Sequence, residues 1–191
     1  MSAVAAVLAA GSASRFGANK LGALLDGRPL LFHAIEAARA APVSQVIVVA
    51  REGIDTGQWN GVPPVSVLTI ESSALSQSLK VAASRARSLG ASGLYVFLGD
   101  MPRIPHELAH KLAHEIGDNW AAAPRHHGRP GHPVLFSAAA LPRIEGLSGD
   151  AGAGKLLRER SDVAWLDWPD PGVTLDVDRP ADLERLRDTR G

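Results

Sequence analysis

The chain is predicted to be an α/β protein, a single-domain, Rossmann-like, mostly parallel sheet with helices on both faces. Three observations predict it. Short apolar runs alternate with amphipathic helical stripes along the chain. Several of those runs are uninterrupted and branched, as buried parallel strands are, among them Gln45–Ala50 (QVIVVA) and Gly93–Leu98 (GLYVFL). Two of them break into glycine with charged residues close behind, at the strand ends where α/β sheets bind their ligands.

Each element follows from its local pattern. Ala3–Ala10 (AVAAVLAA) reads as the first buried strand, and Gly11–Lys20 (GSASRFGANK) as the loop that leaves it. Leu30–Ala40 carries apolar residues at Leu30, Leu31, Ala34, Ile35 and Ala38, a helical stripe. Gln45–Ala50 and Val65–Ile70 are β-branched strands. Leu75–Leu89 reads as a helix with Ser76 as its cap, and Gly93–Leu98 as the next strand, closed by Gly99-Asp100-Met101-Pro102. Pro105–Ile116 is amphipathic through Leu108, Leu112 and Ile116, with Pro105 in the first turn. Beyond Trp120–Pro124, the residues Gly128, Pro130, Gly131 and Pro133 punctuate a hairpin or loop before Val134-Leu135-Phe136. Helices over Lys155–Arg160 and Pro180–Arg187 complete the pattern.

Composition bounds the function. A length of 191 residues suits one domain over 1–191, with a full core. Twenty basic residues balance twenty acidic ones, so nothing argues for nucleic acid or an anionic membrane as a partner. The absence of cysteine excludes disulfides, thiolate metal sites and a cysteine nucleophile, and fits a cytoplasmic protein. The first apolar run is too short for a bilayer and has no basic residue before it, so neither a membrane span nor a signal peptide is expected.

The chemistry concentrates at two strand ends. Gly11 lets the backbone approach a ligand, successive N–H groups form an anion-binding concavity, and Arg15 and Lys20 add fixed positive charge. That is a phosphate cradle. Asp100 ends the Gly93–Leu98 strand opposite this loop, where it either holds Mg²⁺ or caps the turn. A second carboxylate lies in Asp176-Val177-Asp178-Arg179-Pro180, where an ordinary helix cap is the competing reading. Gly149–Lys155 fits seven positions of a Walker A loop but carries Leu156 where the Mg²⁺-binding hydroxyl belongs. Gly11 and Gly17 miss the dinucleotide spacing, and seven histidines show no zinc-ligand spacing.

At this level the chain resembles the nucleotidyltransferases related to molybdenum cofactor cytidylyltransferase. Leu8-Ala9-Ala10-Gly11, Ser14-Arg15-Phe16-Gly17 and Lys20 resemble the family's opening loop. Leu75–Leu79, Gly99–Pro102, Gly128–Val134, Leu147–Ala153 and Asp176–Leu183 resemble its later motifs, in the family's order and over nearly the whole chain. The departures are Phe16 for methionine, Ala74 for glycine, Gly154 for arginine and Arg179 for threonine. Phe16 reads as a packing change, whereas Gly154 removes a cation from the acceptor side.

The resemblance implies transfer of CMP from CTP to the terminal phosphate of a molybdopterin-type cofactor, with release of pyrophosphate. It implies that Arg15 and Lys20 hold the triphosphate, and that Asp100 with Asp178 holds Mg²⁺ or Mn²⁺. Leu8, Ala9, Ala10, Gly11 and Ser78 would line the base and ribose side, with the methyl group of Ala10 favouring a pyrimidine. His132 and Asp150 would face the acceptor. A molybdenum hydroxylase is the implied recipient, and the protein is expected to act as a monomer. The alternatives are another phosphorylated acceptor, or a cofactor-binding chaperone that turns over no nucleotide.

Overall fold

The computed structural model describes residues 2–11, 16, 19–147 and 153–188. Strand β1 (Ala3–Ala9) leads through a short hairpin, β2 (Leu24–Leu25) and β3 (Arg28–Pro29), into helix α1 (Leu30–Arg39). Then come β4 (Val43–Ala50), β5 (Val65–Thr69), α2 (Leu75–Ser88), β6 (Gly93–Leu98) and α3 (Leu108–Glu115). The chain continues with β7 (Ala121–His126), β8 (Arg129–Pro130), β9 (Val134–Ser137) and α4 (Leu141–Glu145). It closes with α5 (Ala153–Arg158), β10 (Val163–Asp167) and α6 (Pro180–Asp188).

The central sheet runs β5-β4-β1-β6-β9-β7-β10, with β8 paired to β7. β5, β4, β1 and β6 are mutually parallel, as are β7 and β10, while β9 runs antiparallel between β6 and β7. The register sets β1 at the centre: Leu8 lies between Val49 and Leu98, and Ala9 beside Ala50. After β1 the chain builds outward through β4 and β5, then returns to place β6 on the other side. The crevice at the carboxyl end of β1 and β6 is therefore a topological switch point.

Alternation along β1 feeds two cores. Val4, Ala6 and Leu8 face Leu79, Ala82, Ala83 and Ala86 of α2, with Leu141 and Ile144 of α4. Ala5, Val7 and Ala9 face Leu31, Ala34, Ile35 and Ala38 of α1, with Leu108 and Leu112 of α3. Helices thus cover both faces, as the period-2 and period-3.6 patterns require. A third cluster joins Leu25 and Leu30 to Val177, Leu183 and Leu186, and Phe16 packs against it. α6 is held on the β2–β3 hairpin in this way.

Some local expectations change. α2 is entered from Ala74 with no side-chain cap bond, while Ser76 is buried inside the first turn. α3 begins at Leu108, and Pro105 sits in the turn before it, its carbonyl accepting from the Leu108 amide. The β2–β3 hairpin turns through Asp26 and Gly27, both at positive φ (51° and 77°), the conformation a tight two-residue hairpin requires. No helix among the described residues is long and apolar enough to cross a membrane.

Candidate active site

A cavity of about 490 Å³ opens at the switch point. Its floor is the end of β1, where Leu8, Ala9 and Gly11 line it. Ser78 of α2 and Leu98 and Asp100 at the end of β6 also line it, as do Asn19, Lys20 and Asp178. Ala10 is fully buried and lies outside the lining. Arg15 and Asp150 fall outside the described residues.

Lys20 organises the site. Asn19, at φ 42°, accepts a hydrogen bond from the Gly22 amide (3.1 Å) and so starts the 3₁₀ turn Lys20–Gly22. The turn aims Lys20 inward. Its Nζ donates to Asp100 Oδ2 (2.7 Å) and Asp178 Oδ1 (3.3 Å), residues 80 and 158 positions away. Burial alone would lower the lysine pKa, but Asp100 and Asp178 outweigh it and hold the ammonium above its usual value. Asp176 belongs to the same field. Desolvation raises its pKa, and the charges of Asp178 and Asp100 push in the same direction.

Two close approaches place the second carboxylate. Gly172 packs so tightly on the Arg103 carbonyl, and Gly131 on the Val173 carbonyl, that neither position has room for a side chain. The turn Pro171–Thr174 is thereby wedged between the Arg103 turn that follows β6 and Gly131 after β8, and the Val177 amide then donates to the Asp100 carbonyl (3.0 Å). Asp178 emerges next to Asp100. Its carboxylate accepts from Lys20, while Asp182 accepts from the amides of residues 178 and 179 (3.1 and 2.8 Å). Asp100 likewise gives its carboxylate to Lys20.

His132 lies beside the site rather than in the cavity lining. Its Nδ1 donates to the Val96 carbonyl (3.2 Å), and its amide donates to Val173 (2.8 Å). Burial pushes its pKa below the ordinary histidine value, while Val96 and the nearby Asp100 charge act in the other direction. The neutral ring therefore keeps Nε2 as an acceptor. Among the departures, Ala74 has φ −70° and ψ 128°, backbone that any residue adopts. Gly154 lies one helical turn from Arg158, whose guanidinium reaches the space a side chain there would take (3.5 Å).

Sequence reasoning missed one wall of the cavity. Arg51, Glu52, Gly53 and Ile54 line it directly after β4, as does Leu75 at the start of α2. The available signal was position: these residues leave the carboxyl end of the strand beside β1, although no motif marks them.

A switch-point cavity with a lysine between two carboxylates, beside a glycine-bearing strand end, defines a nucleotide-handling α/β enzyme of the nucleotidyltransferase class. The family model described as "MobA-like NTP transferase domain" matches residues 5–163, and the chain belongs to that family. It is 27% identical over 192 residues to the purine catabolism protein PucB of Bacillus subtilis (strain 168), covering 94% of this chain and 93% of PucB. The crystal structure of Rv0371c from Mycobacterium tuberculosis H37Rv superposes with a TM-score of 0.86 at 26% identity, covering 98% of each chain. A manganese complex of Rv0371c superposes with a TM-score of 0.80 at 25% identity, covering 99% of this chain and 100% of that one.

Proposed function

We propose that the protein transfers CMP from CTP to the terminal phosphate of a molybdopterin-type cofactor and releases pyrophosphate. The observation that carries the reading is Lys20 held between Asp100 and Asp178 in the wall of the switch-point cavity. The two carboxylates already accommodate a cation, the Lys20 ammonium, and their donors are hard oxygens. That donor set fits Mg²⁺ or Mn²⁺, which leaves its remaining positions to water and phosphate oxygens. Asp100 and Asp178 would hold the ion, which when bound neutralises charge on the phosphates.

The rest of the chemistry needs little from the protein. A phosphate monoester with a second pKa of about 6 is largely ionised at neutral pH. Its oxygen can attack the α-phosphorus directly; the new P–O bond forms as the bond to the β-phosphate oxygen breaks. No general base is required, and catalysis reduces to positioning and charge stabilisation. Lys20, with three N–H donors, can keep contact with a carboxylate while donating to phosphate oxygens. Gly11 leaves the strand end open for backbone approach, and Arg15 adds a second cation from the same loop.

CTP rather than GTP is read from the Leu8-Ala9-Ala10-Gly11 resemblance. The name of PucB places that protein in purine catabolism. Hydroxylation of purine carbons is chemistry that molybdenum hydroxylases perform, which supports a pterin acceptor and such a recipient here. Gly154 favours a second reading, a different phosphorylated acceptor, unless Arg158 supplies the missing cation. The test is pyrophosphate release from CTP and GTP with Mg²⁺ or Mn²⁺, with and without molybdopterin-type cofactor. Release from CTP only when the cofactor is present is the expected result. Equal release with an unrelated sugar phosphate would overturn the acceptor.

A further inference from the structure

Arg51 carries an unexplained cost. Its Nε is buried and has no hydrogen-bond partner, and no hydrogen bond or ion pair engages its guanidinium among the described residues. A buried donor left without an acceptor is destabilising, since it gives up its bond to water for nothing in return. Arg51 is nevertheless on the wall of the nucleotide cavity. A cavity-wall residue with a buried donor that no protein group among the described residues satisfies is suited to an acceptor that arrives with the ligand.

Its place decides which part of the ligand that is. Ala50 pairs with Ala9, so Arg51 leaves the sheet on the β4 side of β1. Asp100, Lys20 and Asp178 stand on the β6 side. A nucleoside triphosphate with its phosphates at Lys20 and the carboxylates extends across the end of β1 toward β4. On that path the base would reach the part of the wall that holds Arg51, Ile54 and Leu75, where Ile54 and Leu75 offer apolar surface and Arg51 offers donors.

The fork of a guanidinium, two parallel N–H donors, is satisfied by two adjacent acceptors. On the Watson–Crick edge only cytosine offers them, at O2 and N3. Uracil carries a proton on N3, adenine sets an amino group beside N1, and guanine sets N1–H and an amino group beside O6. Guanine has two adjacent acceptors only at O6 and N7, on its other edge. We propose that Arg51 reads the base, by donating to O2 and N3 of cytosine, and so sets the preference for CTP over UTP and GTP. This rests on the nucleotidyltransferase reading above. It shifts selectivity from Ala10, which is buried away from the cavity, to the loop after β4.

The test compares wild type with Arg51→Met and Arg51→Lys for CTP, UTP and GTP, by competitive binding and by kcat/KM, with inorganic tripolyphosphate as a base-free probe. A bidentate contact corresponds to a change of about 5–150-fold in discrimination. Arg51→Met should reduce the CTP-to-UTP ratio by that factor and leave tripolyphosphate binding unchanged. Arg51→Lys should not restore the ratio, because a point charge cannot supply the fork. Thermal unfolding separates base reading from a structural role. Removing a structural arginine lowers the melting temperature, whereas removing an unpaired one leaves it equal or higher. A wild type that prefers CTP with a ratio unmoved by Arg51→Met overturns the assignment and leaves the proposed function standing. A wild type that binds tripolyphosphate but prefers GTP overturns the cytosine reading itself. A selectivity lost with Glu52→Gln instead assigns the base edge to Glu52, whose carboxylate complements the donors of guanine, and overturns the proposal.

Discussion

Replacing Lys20 with methionine isolates the electrostatics of the site. Methionine keeps an apolar stem of similar length and removes the charge. Asp100 and Asp178 each place an oxygen within 3.3 Å of the Lys20 nitrogen. The two contacting oxygens are therefore at most about 6 Å apart, and charges at that separation, at an effective dielectric constant near 20, repel by about 3 kcal/mol. The Asp178 side chain is 49% exposed, so solvent and salt screen part of this. A loss of about 1–2 kcal/mol is expected. For a chain of this size that corresponds to a melting temperature lower by about 2–8 °C. The assay is thermal unfolding followed by circular dichroism, first in EDTA and then with millimolar Mn²⁺. The variant should melt below wild type in EDTA and gain more from Mn²⁺, because the ion no longer competes with an ammonium for the same oxygens. The double variant Lys20→Met with Asp100→Asn should recover the EDTA loss, since one of the repelling charges is gone. A single variant that melts at or above wild type in EDTA, with no larger response to Mn²⁺, would refute the idea that Lys20 neutralises this pair.

Three further outcomes are expected. Asp100→Asn should weaken Mn²⁺ binding at least tenfold by calorimetry or spin resonance, because an amide cannot match a carboxylate for a hard cation; Asp178→Asn, at a more exposed group, should weaken it less. Gly172→Ala should cost about 1–3 kcal/mol in urea unfolding, since its methyl group meets the Arg103 carbonyl, and it should also weaken Mn²⁺ binding without touching a ligand atom. His132 has a folded-state pKa lowered by burial, so the folded protein binds fewer protons than the unfolded chain. Its contribution is fully present above the unfolded value of about 6.5 and is lost as pH falls below it. His132→Gln should flatten the fall in stability between about pH 7 and pH 5, and an unchanged slope would remove His132 from that titration.

The sheet was readable where burial is complete. β6 matches its expected bounds because Gly93–Leu98 is buried from Gly93 to Phe97, and α1 matches within a residue because its stripe is unbroken. β10 escaped notice because Val163–Asp167 is a sheet-edge strand, mostly half-exposed, with too little apolar contrast to show a period. The five-residue α4 and the β2–β3 hairpin are too short for periodicity to register at all. Within the site, Lys20, Asp100 and Asp178 were legible because each lies in a recognisable motif beside a strand end or a helix start. Arg51 was not, since its role depends on β4 lying in register with β1, a fact of the assembled sheet. Ala10 shows the opposite limit. Being next in line after a strand residue in the lining did not place it in the lining, because Ala10 is packed inside the protein.

The bond from the Val177 amide to the Asp100 carbonyl ties the acidic centre to the order in which the chain becomes available. Asp100 and Lys20 belong to segments that can pair once β1 and β6 have met, but Asp178 is delivered by a stretch near the other end of the chain. Closing so long a loop comes late in folding, because its entropy must be overcome before the contact rewards it. A partly folded molecule would hold Lys20 against a single carboxylate and could bind a divalent ion only poorly. On the proposed metal site, metal capture would be a property of the finished fold, and manganese uptake during refolding would time the docking of the last helix.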